Sequence, residues 1–205
     1  MNSFELLYLK DHADALNKSL KENADINACG GPFNASLLST AAALGLFDDV
    51  RTLLDSGANP DSPLSPLGES ALIFAISNNQ YDIVDVLLAR GSNPRVVYGV
   101  EGSHYTPLSA LARSLRDAKF NEQRELGIAK VLISAGNSPN EADGNSKTGT
   151  TPFIWAIIMN KPELVQLFLD QGADVKIKDS KGRDALDIAR IMKRDEILNK
   201  LLKSK

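Results

Sequence analysis

The sequence predicts an all-α fold, a solenoid of stacked helix-turn-helix units with projecting hairpin loops, and three observations predict it. A near-identical phrase recurs four times and each copy closes on a glycine: VRTLLDSGANP (50–60), VDVLLARGSNP (84–94), AKVLISAGNSP (129–139) and VQLFLDQGADV (165–175). A matching opening precedes each one, SLLSTAAALG from Ser36, SALIFAISNN from Ser70, TPLSALA from Thr106 and TPFIWAIIMN from Thr151. The interval is constant: Ser36 to Gly57, Ser70 to Gly91 and Thr151 to Gly172 are each 21 residues apart. A fixed period of this size describes units too thin to bury their own apolar face, which become stable by stacking. Function is then expected on an extended surface rather than in a catalytic pocket.

The elements of the unit follow in order. Ser36, Ser70, Thr106, Thr151 and Asp184 each carry a side-chain oxygen suited to accept from a free amide in the first helical turn. Pro107 and Pro152 stand at the first helical position, where the fixed φ suits the helix and the missing N–H costs nothing. Small residues then dominate the first helix, as at Ala41–Ala43, Ala75, Ala112, Ala156 and Ala189, and allow close helix approach. A short turn at Gly45, Asn79 or Asn160 leads to a second helix with paired aliphatics, Leu53-Leu54, Leu87-Leu88, Leu132-Ile133 and Phe168-Leu169. The closing glycine supplies the left-handed residue that ends that helix. Between units lie stretches such as ANPDSPLSPLGE and ADVKIKDSKGR, whose composition is that of turns and hairpins.

This pattern resembles ankyrin repeats. The best matches are TPFIWAI…PELVQLFLDQGADVKIKDSKGR (151–183) and STAAALGLFDDVRTLLDSGANPDS (39–62). The resemblance covers essentially the whole chain and divides residues 1–205 into one domain of six units, starting near Asn2, Ser36, Ser70, Thr106, Thr151 and Asp184. Two departures stand out. The histidine of the family's T-P-L-H phrase is replaced by Ser39, Ile73, Ser109, Ile154 and Asp187, so the inter-repeat hydrogen bonds it supplies are absent or replaced. The fourth unit is also longer, with 30 residues from Thr106 to Gly136. The insertion falls within 112–127 and reads as extended helices around a longer turn near Lys119–Asn121.

Members of the family bind other proteins through the hairpin tips and the adjoining face of the first helices, which implies a non-catalytic binding role here. The segment RVVYGVEGSHYTP (95–107) is the strongest candidate, because Val97, Tyr98, His104 and Tyr105 occupy a projection that is polar in neighbouring units. Tyrosine offers rigid contact area with a polar tip. Arg113 and Arg116, with Arg124, make a mixed aromatic and cationic patch with that segment; the competing readings pack the arm on itself and pair Arg116 with Asp117 or Glu122. Leu44 and Asn78 hold equivalent first-helix positions in earlier units. Ile158 and Met159, with Ile191 and Met192, form a second, apolar candidate strip. Trp155 is assigned to internal packing.

The remaining features narrow the class. Formal net charge is −3, which gives no general reason to bind nucleic acid. Residues 174–205 nevertheless carry ten Lys/Arg against six Asp/Glu, so the alternative reading is a polyanion or nucleic-acid binder using the basic C-terminal unit. Two histidines, His12 and His104, and a single cysteine, Cys29, make neither a His-rich nor a thiolate metal site. The loop DGNSKTGT (143–150) fails as a calcium loop, with Lys147 in the fifth place, and as a phosphate loop, with Thr150 where lysine must stand. No cofactor and no enzymatic activity are expected. The opening MNSFELLYLKDHADALNK lacks a basic leader, and no apolar run reaches a membrane span. The expectation is a cytoplasmic protein, monomeric when unbound, whose partner is another protein and whose binding inhibits it, as a toxin-neutralising immunity protein would.

Overall fold

The computed structural model describes residues 25–27, 29–30, 35–62, 68–99, 104–115, 120–144 and 149–203. The unit expected near Asn2 and the site residue Arg116 lie outside these. The chain divides into two compact units, Met1–Asn93 and Pro94–Lys205.

The first unit holds a short antiparallel pair, β1 (Cys29–Gly30) and β2 (Ala35–Ser36), in the register Cys29↔Ser36. Four helices follow: α1 (Leu37–Leu44), α2 (Phe47–Asp55), α3 (Ala71–Ser77) and α4 (Tyr81–Ala89). First helix packs on first helix, α1 on α3, and second on second, α2 on α4. The second unit repeats the arrangement with α5 (Pro107–Arg113), α6 (Glu122–Ser134), α7 (Pro152–Ile158), α8 (Pro162–Asp170), α9 (Ala185–Ile191) and α10 (Asp195–Lys203). There α5, α7 and α9 stack in chain order, as do α6, α8 and α10. Chain-order stacking is what the period requires. Among the described residues no helix is long and apolar enough to cross a membrane.

Every expected cap among the described residues is made. The hydroxyls of Ser36, Ser70, Thr106 and Thr151 accept from the amides of Ser39, Ile73, Ser109 and Ile154, at 3.1–3.3 Å. The Asp184 carboxylate accepts from the Asp187 amide at 2.9 Å, and the Asp187 carboxylate accepts from the Asp184 amide at 3.3 Å. At the other end of the unit, Gly57 adopts φ +89°, which lets the Ala58 amide reach back to the Leu53 carbonyl at 3.0 Å. Gly91, Gly136 and Gly172 close their helices the same way. The inter-helix turn is also left-handed, at Gly45, Asn79, Asn160 and Lys193.

Core and ladder follow from this geometry. Leu53, Leu87, Leu132 and Phe168, the first of each aliphatic pair, are fully buried, as are Ala75, Ala112, Ala156 and Ala189 on the first helices. Consecutive repeats are also tied by loop side chains that bond backbone one repeat onward. Asn27 accepts from the Asn59 amide (2.7 Å) and Asp61 from the Asn93 amide (2.9 Å). In the second unit Asn140 accepts from the Asp174 amide (2.8 Å) and donates to the Gly172 carbonyl (2.9 Å). These bonds link consecutive repeats in a chain that has no histidine at the T-P-L-H position.

The enlarged repeat differs from the expectation of two extended helices. Only the second is lengthened: α6 has 13 residues, whereas α2, α4 and α8 have nine, and α5 keeps the seven of α3, α7 and α9. Ser114 leaves α5 in an extended conformation (ψ 140°) rather than through a tight left-handed turn, and Asn121 caps α6 by accepting from Arg124 at 3.0 Å. The second helix gains about one turn; residues 116–119, which include Lys119 of the expected turn, lie outside the described residues.

Candidate functional site

The site is built on the arm preceding α5. Tyr98 and Tyr105 face each other across an antiparallel bridge, with Tyr98 N–H to Tyr105 O at 3.1 Å and the reverse bond at 2.7 Å. Their rings lie 5.7 Å apart and tilted, and the Tyr105 ring meets Trp155 edge-on at 6.5 Å. The guanidinium of Arg113, the last residue of α5, lies 3.7 Å from the Tyr105 ring centre and 4.9 Å from that of Trp155. Three aromatic rings and one cation thus form a single cluster, and all four side chains are only half-buried.

A buried carboxyl anchors it. Asp143 is 4% exposed and its Oδ2 accepts from the Trp155 indole N–H at 2.7 Å. Burial pushes the Asp143 carboxyl above the ordinary carboxylate range; the Trp155 N–H bond, the nearby Ser109 hydroxyl and Thr106 backbone, and the Arg113 charge offset part of that. The indole is therefore fixed by a hydrogen bond on one edge and by packing on Tyr105.

A second buried pair holds the end of α5. Lys161 and Glu125 are each 1% exposed and their charged atoms stand 2.7 Å apart. The Lys161 ammonium also donates to the Leu111 carbonyl (2.8 Å) and the Ser114 hydroxyl (3.0 Å). Ser114 in turn donates to Leu111 O at 2.8 Å. The last turn of α5, which carries Arg113, is pinned by both side chains.

The other expected residues fall as follows. Val97 is 53% exposed on the same arm. His104 is half-buried and its amide donates to Gly144 O at 3.1 Å. Arg124 is exposed in the first turn of α6; among the described residues Arg113 is the arginine that stacks on the rings. Ile158 and Met159 are half-buried at the end of α7, and the Ile158 carbonyl accepts from Arg194 at 2.9 Å. Ile191 and Met192 are exposed. Leu44 ends α1 half-buried, and Asn78 caps α3 with its side-chain amide on Phe74 O; both belong to the first compact unit. In the basic C-terminal repeat Lys176, Lys178, Lys181 and Lys193 are exposed, whereas the Arg183 guanidinium is bound to Asp179 at 2.8 Å.

A family model described as ankyrin repeats, in three copies, matches residues 6–97 and 118–205. The chain belongs to the ankyrin-repeat family. It is 31% identical over 134 residues to an ankyrin repeat protein of Rickettsia felis, covering 65% of this chain and 41% of that protein. It is 36% identical over 80 residues to one of Rickettsia bellii, covering 37% of this chain and 12% of that protein. It is 27% identical over 187 residues to the phosphocholine transferase AnkX of Legionella pneumophila, covering 90% of this chain and 18% of that protein. The chain thus spans less than half the length of these relatives. Ankyrin repeats are in general non-catalytic modules for binding other proteins.

Two contributors in this ankyrin-repeat chain differ from or escape the sequence reading. Trp155, assigned to internal packing, is only partly buried and completes the aromatic cluster. Asp143 opens the loop 143–150, which the sequence reading weighs only as a calcium or phosphate loop. The signal available for both was an indole N–H on a first helix, which when shielded needs an acceptor, with an acid 12 residues upstream.

Proposed function

We propose that this chain is a non-catalytic interaction module that docks a partner protein on the surface made by Val97, Tyr98, His104, Tyr105, Arg113 and Trp155. The observation that carries this reading is the convergence of three half-buried aromatic rings with an arginine on one arm and two adjacent helices. Aromatic and arginine side chains, held rigid before contact, are the residue types that dominate interface energetics, because little conformational freedom is lost on docking. Ile158 and Met159 at the end of α7 extend the same reading to an apolar margin. We further propose a cytoplasmic chain, monomeric when unbound, whose binding inhibits or neutralises its partner. A polyanion-binding role is less favoured, since Arg183 is committed to Asp179.

The test is affinity capture from the native cell with the intact chain beside Tyr98→Ala/Tyr105→Ala. Loss of one or a few specific proteins from the double variant, with its fold retained, supports the reading. Equal capture by both forms places the binding surface elsewhere.

A further inference from the structure

Arg113 is fixed by its face and unused at its edge. Its guanidinium is stacked on Tyr105 and Trp155, yet among the described residues it makes no hydrogen bond or ion pair. Stacking occupies the flat face of a guanidinium and leaves its five in-plane N–H donors to water. A partner that covered the rings would strip that water, and each donor left without an acceptor would cost free energy. The charge near it, Asp143, is buried, takes the Trp155 N–H, and reaches Arg113 only through its field. A cationic ligand would have to displace Arg113 from the Tyr105 ring and exchange one cation–π contact for another.

We infer that Arg113 receives the carboxylate of a glutamate or aspartate side chain, presented by a segment of the partner whose flanking apolar residues lie on Tyr98, Tyr105 and Trp155. This rests on the reading of that surface as an interface. The carboxylate's two oxygens match the guanidinium fork. The fork is presented in advance, because Lys161 and Ser114 fix the Leu111 carbonyl two residues before it and the rings fix the plane.

The probes are three amidated, acetylated tripeptides, Leu-Glu-Leu, Leu-Gln-Leu and Leu-Lys-Leu, and a fourth, acetylated Leu-Gln-Leu with a free C-terminus, titrated into the full chain and followed by the indole N–H resonance of Trp155. The Glu peptide is expected to bind about tenfold more tightly than the Gln peptide at low salt, and the difference to shrink at high ionic strength. Arg113→Gln abolishes the difference between the Glu and Gln peptides; Arg113→Lys, which keeps charge without the fork, retains part of it and serves if the first variant misfolds. Equal binding of Glu and Gln peptides overturns the inference and leaves the interface reading standing. Preference for the Lys peptide overturns it by making Arg113 a displaceable plug. A Gln peptide with a free C-terminus that matches the Glu peptide overturns it in favour of a chain end. No response to any peptide overturns it as well, and the capture experiment then decides the surface alone.

Discussion

Replacing Lys161 by methionine tests the internal logic of the enlarged repeat. Lys161 and Glu125 are both 1% exposed, and the ammonium has three acceptors at 2.7–3.0 Å, from Glu125, Leu111 and Ser114. Lys161→Met keeps the volume and leaves the Glu125 carboxylate buried without its cation, a loss of about 3–5 kcal/mol. In Lys161→Met/Glu125→Leu both charges are gone. The Leu111 carbonyl still receives the Ser114 hydroxyl and amide, so the double variant is expected within about 1–2 kcal/mol of the native chain. The assay is urea unfolding followed by Trp155 fluorescence. Trp155 is the chain's single tryptophan and reports the same compact unit. A single variant that loses less than about 1 kcal/mol, or a double variant no better than the single, would refute the claim that this pair is interdependent.

Three further outcomes follow from the same geometry. Asp143 has its carboxyl raised above the ordinary 3.8 chiefly by burial. The folded chain therefore holds that proton longer, and stability falls as pH rises from 3.8 through the folded value. Asp143→Asn removes the decline and lets an amide N–H face Ser109, so its stability relative to the native chain should improve across that window; urea midpoints at several pH values check it, and a constant offset would contradict it. Gly57→Ala forces a non-glycine residue to φ +89° where an added Cβ meets nothing within 4 Å, so a purely backbone cost of about 1 kcal/mol is expected in thermal unfolding. Thr151→Ala leaves the Ile154 amide without its cap and should cost about 1 kcal/mol, whereas Thr151→Ser should cost little.

How much of this was legible depended on the range of the interaction. The caps act over three residues and the closing glycines over five, so a single phrase carried all the information, and the caps and closing glycines among the described residues formed as read. The tyrosine arm was legible because its ring residues interrupt a polar stretch. Trp155 was not, because its ring direction depends on Asp143 in a separate loop and on Arg113 in the preceding first helix. The Lys161–Glu125 pair was hidden for a related reason. A lysine before a second helix and a glutamate in a helical first turn both read as solvated charges. They meet because α6 and α8 pack side by side, which joins residues 36 positions apart in sequence. The Asn and Asp ladder likewise acts over 32–34 residues, and composition alone marks those residues only as turn formers.

The most direct measurement of the central claim is amide hydrogen exchange of the full chain with and without the captured partner. The account predicts slowed exchange on partner binding at Val97, His104 and the end of α5, with the basic loop around Lys176–Lys181 unchanged. Protection confined to that basic loop, with the tyrosine arm unaffected, would contradict it.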